Sequence, residues 1–310
     1  MATITTTSLS KAYGKVQALR NINLDIEAGE IFGLIGPDGA GKTTLFRILA
    51  TLLLPDSGSA RVAGLDPVKD YKALRTKLGY MPGRFSLYQD LSVEENLGFF
   101  ANVFGAHIRD NYELIRDIYV QLEPFKDRRA GALSGGMKQK LALCCALIHR
   151  PRVLFLDEPG TGVDPVSRKE FWDMLRRLRQ ADITILVSTA YMDEAELCDR
   201  VALMQKGEIL AIDTPRGVTR AYRRPLFAVR SADMYRLIRE LRSFDGADCY
   251  AFGEYAHLSM PEGPAGSAGQ SQAAAIAGIR SFLEQNGHTG IEIMPVEATV
   301  EDSFIELMKN

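Results

Sequence analysis

Three short runs, Ile31–Ile35, Val153–Leu156 and Ile183–Val187, are apolar at nearly every position and stand among segments of helical periodicity. Continuous rather than alternating apolarity is what parallel strands buried on both faces require, so the pattern predicts an α/β core. Asp164-Pro165 marks a turn, after which Phe171, Met174, Leu175 and Leu178 recur at helical spacing among the charges of Arg168–Gln180. Leu141–Ile148 predicts another helix. The pattern changes around Thr214–Arg224, through a Pro-Arg-Gly turn and a basic patch. Beyond it the chain predicts a short strand (Leu226–Arg230), a helix (Ala232–Ser243) and a hairpin through Cys249–Met260. A low-complexity loop, Gly263–Gln270, is expected to be mobile, and a second helix and a last strand follow it. That order suggests a small α+β domain of ferredoxin-like pattern and divides the chain into 1–221 and 222–310.

Composition narrows the class. A length of 310 residues suits about two domains, and 46% hydrophobic residues with a formal charge of −2 describe a soluble, well-cored protein. That charge implies no nucleic acid partner. Cys144, Cys145, Cys198 and Cys249 form no C-x-x-C pair, which fits a reduced compartment without structural zinc or disulfides. The amino terminus lacks the charged-then-apolar order of a secretory signal, and the longest apolar runs fall short of a membrane span. A membrane role is therefore expected to go through a partner.

The candidate chemistry begins where the first apolar run ends. In Gly36-Pro37-Asp38-Gly39-Ala40-Gly41-Lys42-Thr43-Thr44, the glycines let consecutive N–H groups converge on an anion, and a helix start behind them adds partial positive charge. Lys42 supplies a mobile cation for terminal phosphates, and the Thr43 hydroxyl is the expected Mg2+ ligand. The stretch is a phosphate-binding loop and predicts a bound nucleoside triphosphate. The second run ends in Asp157-Glu158-Pro159, which brings two carboxylates to the carboxyl edge of a sheet, where α/β ligands sit. Asp157 is placed to hold Mg2+, and Glu158, pointing differently, to polarise an attacking water. A second anion site is offered by Ser134, Gly135 and Gly136 at the start of a helix. One chain thus carries two half-sites. The economical arrangement is a head-to-tail dimer with each nucleotide clamped between subunits.

Together, GPDGAGKTT, LSGGMKQK and VLFLDEPGTGVDP resemble the ATP-binding subunit of ATP-binding cassette (ABC) transporters over roughly residues 3–220. The nearer likeness is to ABC-2 type drug-resistance exporters, whose subunits often end in a tail similar to Ala298–Ile305. The resemblance implies a P-loop ABC ATPase fold: a RecA-like core, a helical subdomain and an amino-terminal antiparallel β region. It implies ATP and Mg2+ as cofactors, transmembrane permease subunits and a second ATPase subunit as partners, and a place on the cytoplasmic face of the cell membrane. By position, Tyr13 matches the residue that stacks on adenine, a buried structural tyrosine being the lesser alternative. Ser134, Gly135 and Gly136 would contact the γ-phosphate held by the opposing subunit, and Asp164 matches the aspartate of the dimer-contacting loop. The family's usual Pro-Thr before that loop reads Gly160-Thr161. The stretch Gly83–Phe100 matches the region that touches the permease, while its aromatics Phe85, Tyr88, Phe99 and Phe100 also suit an ordinary core.

Two departures set this chain apart from the pattern it resembles. Gly83 stands where the family usually has a glutamine that senses Mg2+ and water, and Ala190 stands at the switch histidine. Loss of one donor to a developing phosphate charge slows turnover by about 10²–10³, or ~3–4 kcal/mol, while binding through the loop N–H groups and Lys42 survives. The expectation is a site that holds ATP tightly and hydrolyses it slowly, as in the amino-terminal half of tandem two-ATPase subunits. A heterodimer with a separate ATPase chain is then preferred to a homodimer. A non-hydrolysing regulatory subunit fits the same departures. A soluble ABC ATPase of DNA repair would carry a coiled-coil or zinc insertion, and a GTP-binding switch an Asn-Lys-x-Asp segment. Neither occurs in the sequence.

Overall fold

The computed structural model describes residues 2–244, 246–261 and 268–309, which form two compact units, one ending at Val218 and the other spanning Thr219–Lys309. The first contains β1 (Ala2–Tyr13), β2 (Val16–Glu27), β3 (Ile31–Ile35), α1 (Lys42–Leu49), β4 (Ser57–Val62), α2 (Tyr71–Arg75), β5 (Leu78–Met81) and α3 (Val93–Val103). It continues with α4 (Tyr112–Tyr119), α5 (Gly135–Leu147), β6 (Val153–Asp157), α6 (Pro165–Arg179), β7 (Thr184–Thr189), β8 (Arg200–Gln205), β9 (Glu208–Asp213) and α7 (Pro215–Arg220).

Six strands form the central sheet in the order β5-β6-β7-β3-β8-β9, parallel except for β9. Every residue of β3, β6 and β7 is buried, which is why the runs Ile31–Ile35, Val153–Leu156 and Ile185–Val187 within them are apolar. A separate antiparallel sheet, β2-β1-β4, lies over α1, and the core between them contains Leu9, Leu19, Phe32, Leu45 and Phe155. Phe46 of α1 meets Phe155 of β6 edge-on at 5.8 Å, so the helix behind the phosphate loop is fixed to the strand that carries the carboxylates. On the helical side, α3 and α4 pack on α5, and α5 contacts β5 and α6.

Two local expectations change. The helix expected from Leu141 starts at Gly135, so Gly135 and Gly136 form its first turn. The Pro-Arg-Gly turn is instead the first turn of α7, with Pro215 at the first helical position and Gly217 N–H donating to Thr214 Oγ1 at 3.0 Å. The division between the two units falls inside this helix.

The second unit runs β10 (Leu226–Arg230), α8 (Met234–Leu241), β11 (Asp248–Phe252), β12 (Tyr255–Ser259), α9 (Ala268–Gln285), β13 (Glu292–Pro295) and α10 (Val300–Leu307). Its antiparallel sheet has the order β11-β12-β10-β13, a βαββαβ arrangement of ferredoxin-like type. Phe227, Val229, Leu237, Leu241, Leu258 and Ile279 share one apolar cluster that joins the sheet to α8 and α9. Of the expected loop Gly263–Gln270, residues 263–267 lie outside the described residues, and α9 begins at Ala268.

Helix α10 is tied to the sheet by a buried carboxylate. Asp302 accepts hydrogen bonds from His257 Nδ1 (2.6 Å), Tyr250 OH (2.7 Å), Thr299 N–H (2.7 Å) and Thr299 Oγ1 (2.6 Å). Burial works to raise its pKa, but the bonds from His257, Thr299 and Tyr250 outweigh it and hold the carboxyl at about 2. Because the folded value lies below the unfolded one, the stabilisation is complete above about pH 4 and disappears as pH falls towards 2. Asp302→Asn should destabilise the second unit at pH 7 by on the order of 2 kcal/mol, and the deficit should shrink between pH 4 and pH 2. Denaturant unfolding of parent and variant across that range measures it; a deficit that does not change with pH would contradict the assignment.

Candidate functional site

Parallel pairing places Ile35 of β3 beside Thr189 of β7, and Ser188 of β7 beside Asp157 of β6, so three strand ends open onto one place. The chain leaving β3 is held there by backbone contacts. Gly36 N–H donates to Thr189 O (3.2 Å), Ala40 N–H to Pro37 O (3.1 Å) and Gly207 N–H to Ala40 O (2.9 Å). A Cβ at Gly36 would lie 2.1 Å from Met204 O, and one at Gly41, whose φ is +108°, would lie 2.4 Å from Ala18 O. The loop is therefore clamped between the β8–β9 hairpin and the start of β2, with no room for side chains at either contact. Gly41 caps α1 without any side-chain hydrogen bond, which leaves the first N–H groups of the helix for a ligand.

Lys42 is buried, with its Nζ 2.7 Å from Gly36 O, 3.1 Å from Pro37 O and 3.2 Å from Glu158 Oε1. Thr43 Oγ1 donates to Asp157 Oδ1 at 3.1 Å. The same carboxylate oxygen accepts from Ser188 Oγ at 2.6 Å, and Ser188 Oγ in turn accepts the Glu158 N–H at 3.0 Å. Glu158 has a φ of +51°, a left-handed conformation that costs a non-glycine residue about 1 kcal/mol, and its carboxylate meets Lys42 while that of Asp157 meets Thr43 and Ser188. Burial first, and then the charge of Asp157, push the neighbouring Tyr80 phenol up to about 12.

A cleft of about 530 Å³ joins these groups and is lined by Tyr13, Gly39, Lys42, Thr43, Thr44 and Glu158 among others. Tyr13 is 46% exposed, which decides against a buried structural role. Pro37 and Asp38 are exposed. Gly83 and Ala190 flank the carboxylates: a Cβ at Gly83 would lie 3.0 Å from Asp157 O and 3.6 Å from Glu158 Cβ, and Ala190 follows directly on Thr189. Neither position carries a hydrogen-bonding side chain.

Gly36, Pro37, Asp38 and Asp157 stand beside this cleft without lining it, and neither Ser134, Gly135, Gly136 nor Asp164 lines it. Ser134 caps α5 by accepting the Met137 N–H at 3.3 Å, and it is exposed. Asp164 caps α6, and the N–H groups of Ser167 and Val166 hold its carboxyl below the usual range. The two caps belong to one packed unit, since a Cβ at Gly136 would lie 2.7 Å from Ser167 Oγ. On the helical side, Tyr88, Phe99 and Phe100 form a chain of edge-on contacts, with Tyr88 and Phe99 partly exposed rather than in the core. Phe100, Tyr80, Pro82, Leu87, Phe104 and Cys145 help to line a groove of about 440 Å³ there.

Sequence reasoning missed Ser188 and the clamp residues Ala18, Met204 and Gly207. The hydroxyl-bearing end of the Ile183–Val187 run was the available signal for Ser188. Gly36→Ala and Gly41→Ala should each destabilise the first unit by ~3 kcal/mol or more, since both push a methyl into a backbone carbonyl. Gly39→Ala, at φ +79° but in open space, should cost only the ~1 kcal/mol of the conformation. Thermal unfolding of the three variants checks the order.

Residues 19–161 match the family described as ABC transporter. The chain is 49% identical over 223 residues to the probable multidrug ABC transporter ATP-binding protein YbhF of Escherichia coli, covering 70% of this chain but only 38% of that relative's length. It is 32% identical over 314 residues to the Nod factor export ATP-binding protein I of Sinorhizobium fredii, covering 97% of this chain and 84% of the other. Among solved structures, cbiO1 of Clostridium perfringens, described as part of an ABC transporter complex, superposes with a TM-score of 0.63 at 27% identity over 70% of this chain and 90% of that one. With the phosphate loop, the paired carboxylates and the Ser-Gly-Gly cap in these places, the chain belongs to the ABC transporter ATP-binding proteins.

Proposed function

We propose that this chain is the ATP-binding subunit of a membrane exporter and that it binds, and slowly hydrolyses, ATP at an interface with a second ATPase subunit. The observation that carries the reading is the convergence of Lys42, Thr43 and Glu158 on one cleft at an open helix start, with the buried Asp157 bonded to Thr43 behind it. Tyr13 stacks on the base. The α1 N–H groups and Lys42 take the β- and γ-phosphates, with Lys42 exchanging its contacts to Glu158 and the loop carbonyls for phosphate oxygens. Thr43 Oγ1 and Asp157, both hard oxygen donors, 3.1 Å apart, suit Mg2+, which when bound neutralises charge on the phosphates.

Freed from Lys42, Glu158 accepts a hydrogen bond from water and takes its proton as the water oxygen bonds to the γ-phosphorus. The bond from that phosphorus to the bridging oxygen breaks, leaving ADP and inorganic phosphate. With glycine at 83 and alanine at 190, no side chain at those positions donates to the charge developing on the γ-phosphate, which supports tight binding with slow turnover.

Ser134, Gly135 and Gly136, exposed or aligned at the start of α5, complete a site on the opposing subunit, with Asp164 at the contact. A different ATPase chain is the preferred partner, since it gains a complete site from this one. The groove beside Tyr88–Phe100 receives the permease, through which the chain sits on the cytoplasmic face of the membrane. Among the described residues no helix is long and apolar enough to cross a membrane. A regulatory subunit without turnover is the second reading, favoured by the same two positions.

Purified chain should bind ATP yet hydrolyse it about 10²–10³-fold more slowly than an ordinary ABC ATPase, and Ala190→His should raise the rate. Glu158→Gln should remove what turnover remains without loss of binding. Parent turnover at the ordinary rate would refute the slow-site reading. Turnover absent even beside a partner whose own base is disabled would favour the regulatory one.

A further inference from the structure

Ser188 is fully buried near the end of β7, beyond the apolar run Ile185–Val187 and next to the buried Thr189. Its hydroxyl makes two bonds, one as donor and one as acceptor. It donates to Asp157 Oδ1 at 2.6 Å and accepts the Glu158 N–H at 3.0 Å. The Glu158 N–H also reaches Ser188 O at 3.0 Å, so one residue of β7 holds the turn at which Glu158 adopts its φ of +51°. The oxygen it holds on Asp157 is the one that Thr43 Oγ1 also contacts. A strained turn persists only where its surroundings over-determine it, and these bonds do so.

We infer that Ser188 is a positioning residue for the metal-binding half of this site: it sets the rotamer of Asp157 and fixes the backbone from which Glu158 projects. The inference rests on the proposed binding of a magnesium nucleotide in the cleft. The carboxylate has two oxygens and free rotation about its last bond. A donor fixed to Oδ1 keeps that oxygen facing β7 and Thr43 and leaves Oδ2 with no hydrogen-bond partner among the described residues, directed by the same rotamer. Without the hydroxyl, Asp157 loses its shortest hydrogen bond, and the Glu158 N–H keeps only the Ser188 carbonyl. Residues that orient metal ligands in this way typically account for 10- to 100-fold in metal affinity. Ser188 thus does for the metal what Gly83 and Ala190 no longer do for the γ-phosphate.

The test separates the metal from the nucleotide. Binding of a fluorescent ATP analogue to the full chain is titrated with Mg2+, and measured again in EDTA. Ser188→Ala should raise the Mg2+ concentration needed for half-maximal effect about tenfold and leave affinity in EDTA unchanged. Ser188→Thr and Ser188→Val have the same shape and differ in the hydroxyl; the first should titrate like the parent and the second like Ser188→Ala. A general packing defect would instead lower affinity equally in both buffers and affect both β-branched variants alike. Either that pattern or an unchanged Mg2+ midpoint in Ser188→Ala overturns the inference. A parent chain that binds no nucleotide in either buffer overturns the nucleotide reading itself, and this inference with it.

Discussion

The site depends on the register of three parallel strands. Because β7 lies between β3 and β6, a hydrogen bond from Gly36 N–H to Thr189 O fixes the start of the phosphate loop, and the neighbouring residue, Ser188, bonds to Asp157 and Glu158. A slip of one residue in β7 would turn Ser188 from its partners and present Thr189 in its place. The buried apolar side chains of β3, β6 and β7 resist such a slip, since every position along them already faces packed atoms. Precision at the polar end is thus supplied by burial along the strands.

Within this frame, binding and chemistry rely on different parts. The groups proposed to bind the anion are the backbone N–H groups of a loop held by Met204, Ala18 and Gly207, and one buried lysine held by Gly36 O, Pro37 O and Glu158. The groups that would respond to charge during a reaction come from loops at the ends of β5 and β7. Glycine and alanine there leave the loop's own contacts intact, so in the proposed mechanism loss of rate and loss of affinity are separable.

Much of this was legible because it is local in sequence. The phosphate loop, Asp157-Glu158 and the helix start at Ser134 each combine adjacent residues whose spacing implies their geometry, and the uniform apolarity of β3 announces burial on both faces. The clamp around Gly36 and Gly41 was not legible, because Ala18 and Met204 meet the loop only after folding and act through carbonyls, which every residue has. Ser188 was missed for a related reason: its partners lie 30 and 31 residues away in the chain. In the second unit, the strand and helix order showed in the pattern, but the bonding of His257 and Tyr250 to Asp302 did not, since each reads singly as a surface residue. The Pro-Arg-Gly segment misled because proline and glycine signal turns, yet proline at a first helical position is equally at home.

The close fit of Gly136 against Ser167 has a consequence for how such a chain can change over time. The cap at Ser134 and the cap at Asp164 are welded together on α5 and α6, whereas Gly83 and Ala190 belong to the ends of other elements. In the proposed dimer, what the molecule lends to a neighbour and what it keeps for itself are therefore under separate inheritance. Substitution at Gly83 or Ala190 can then erode the one without touching the other.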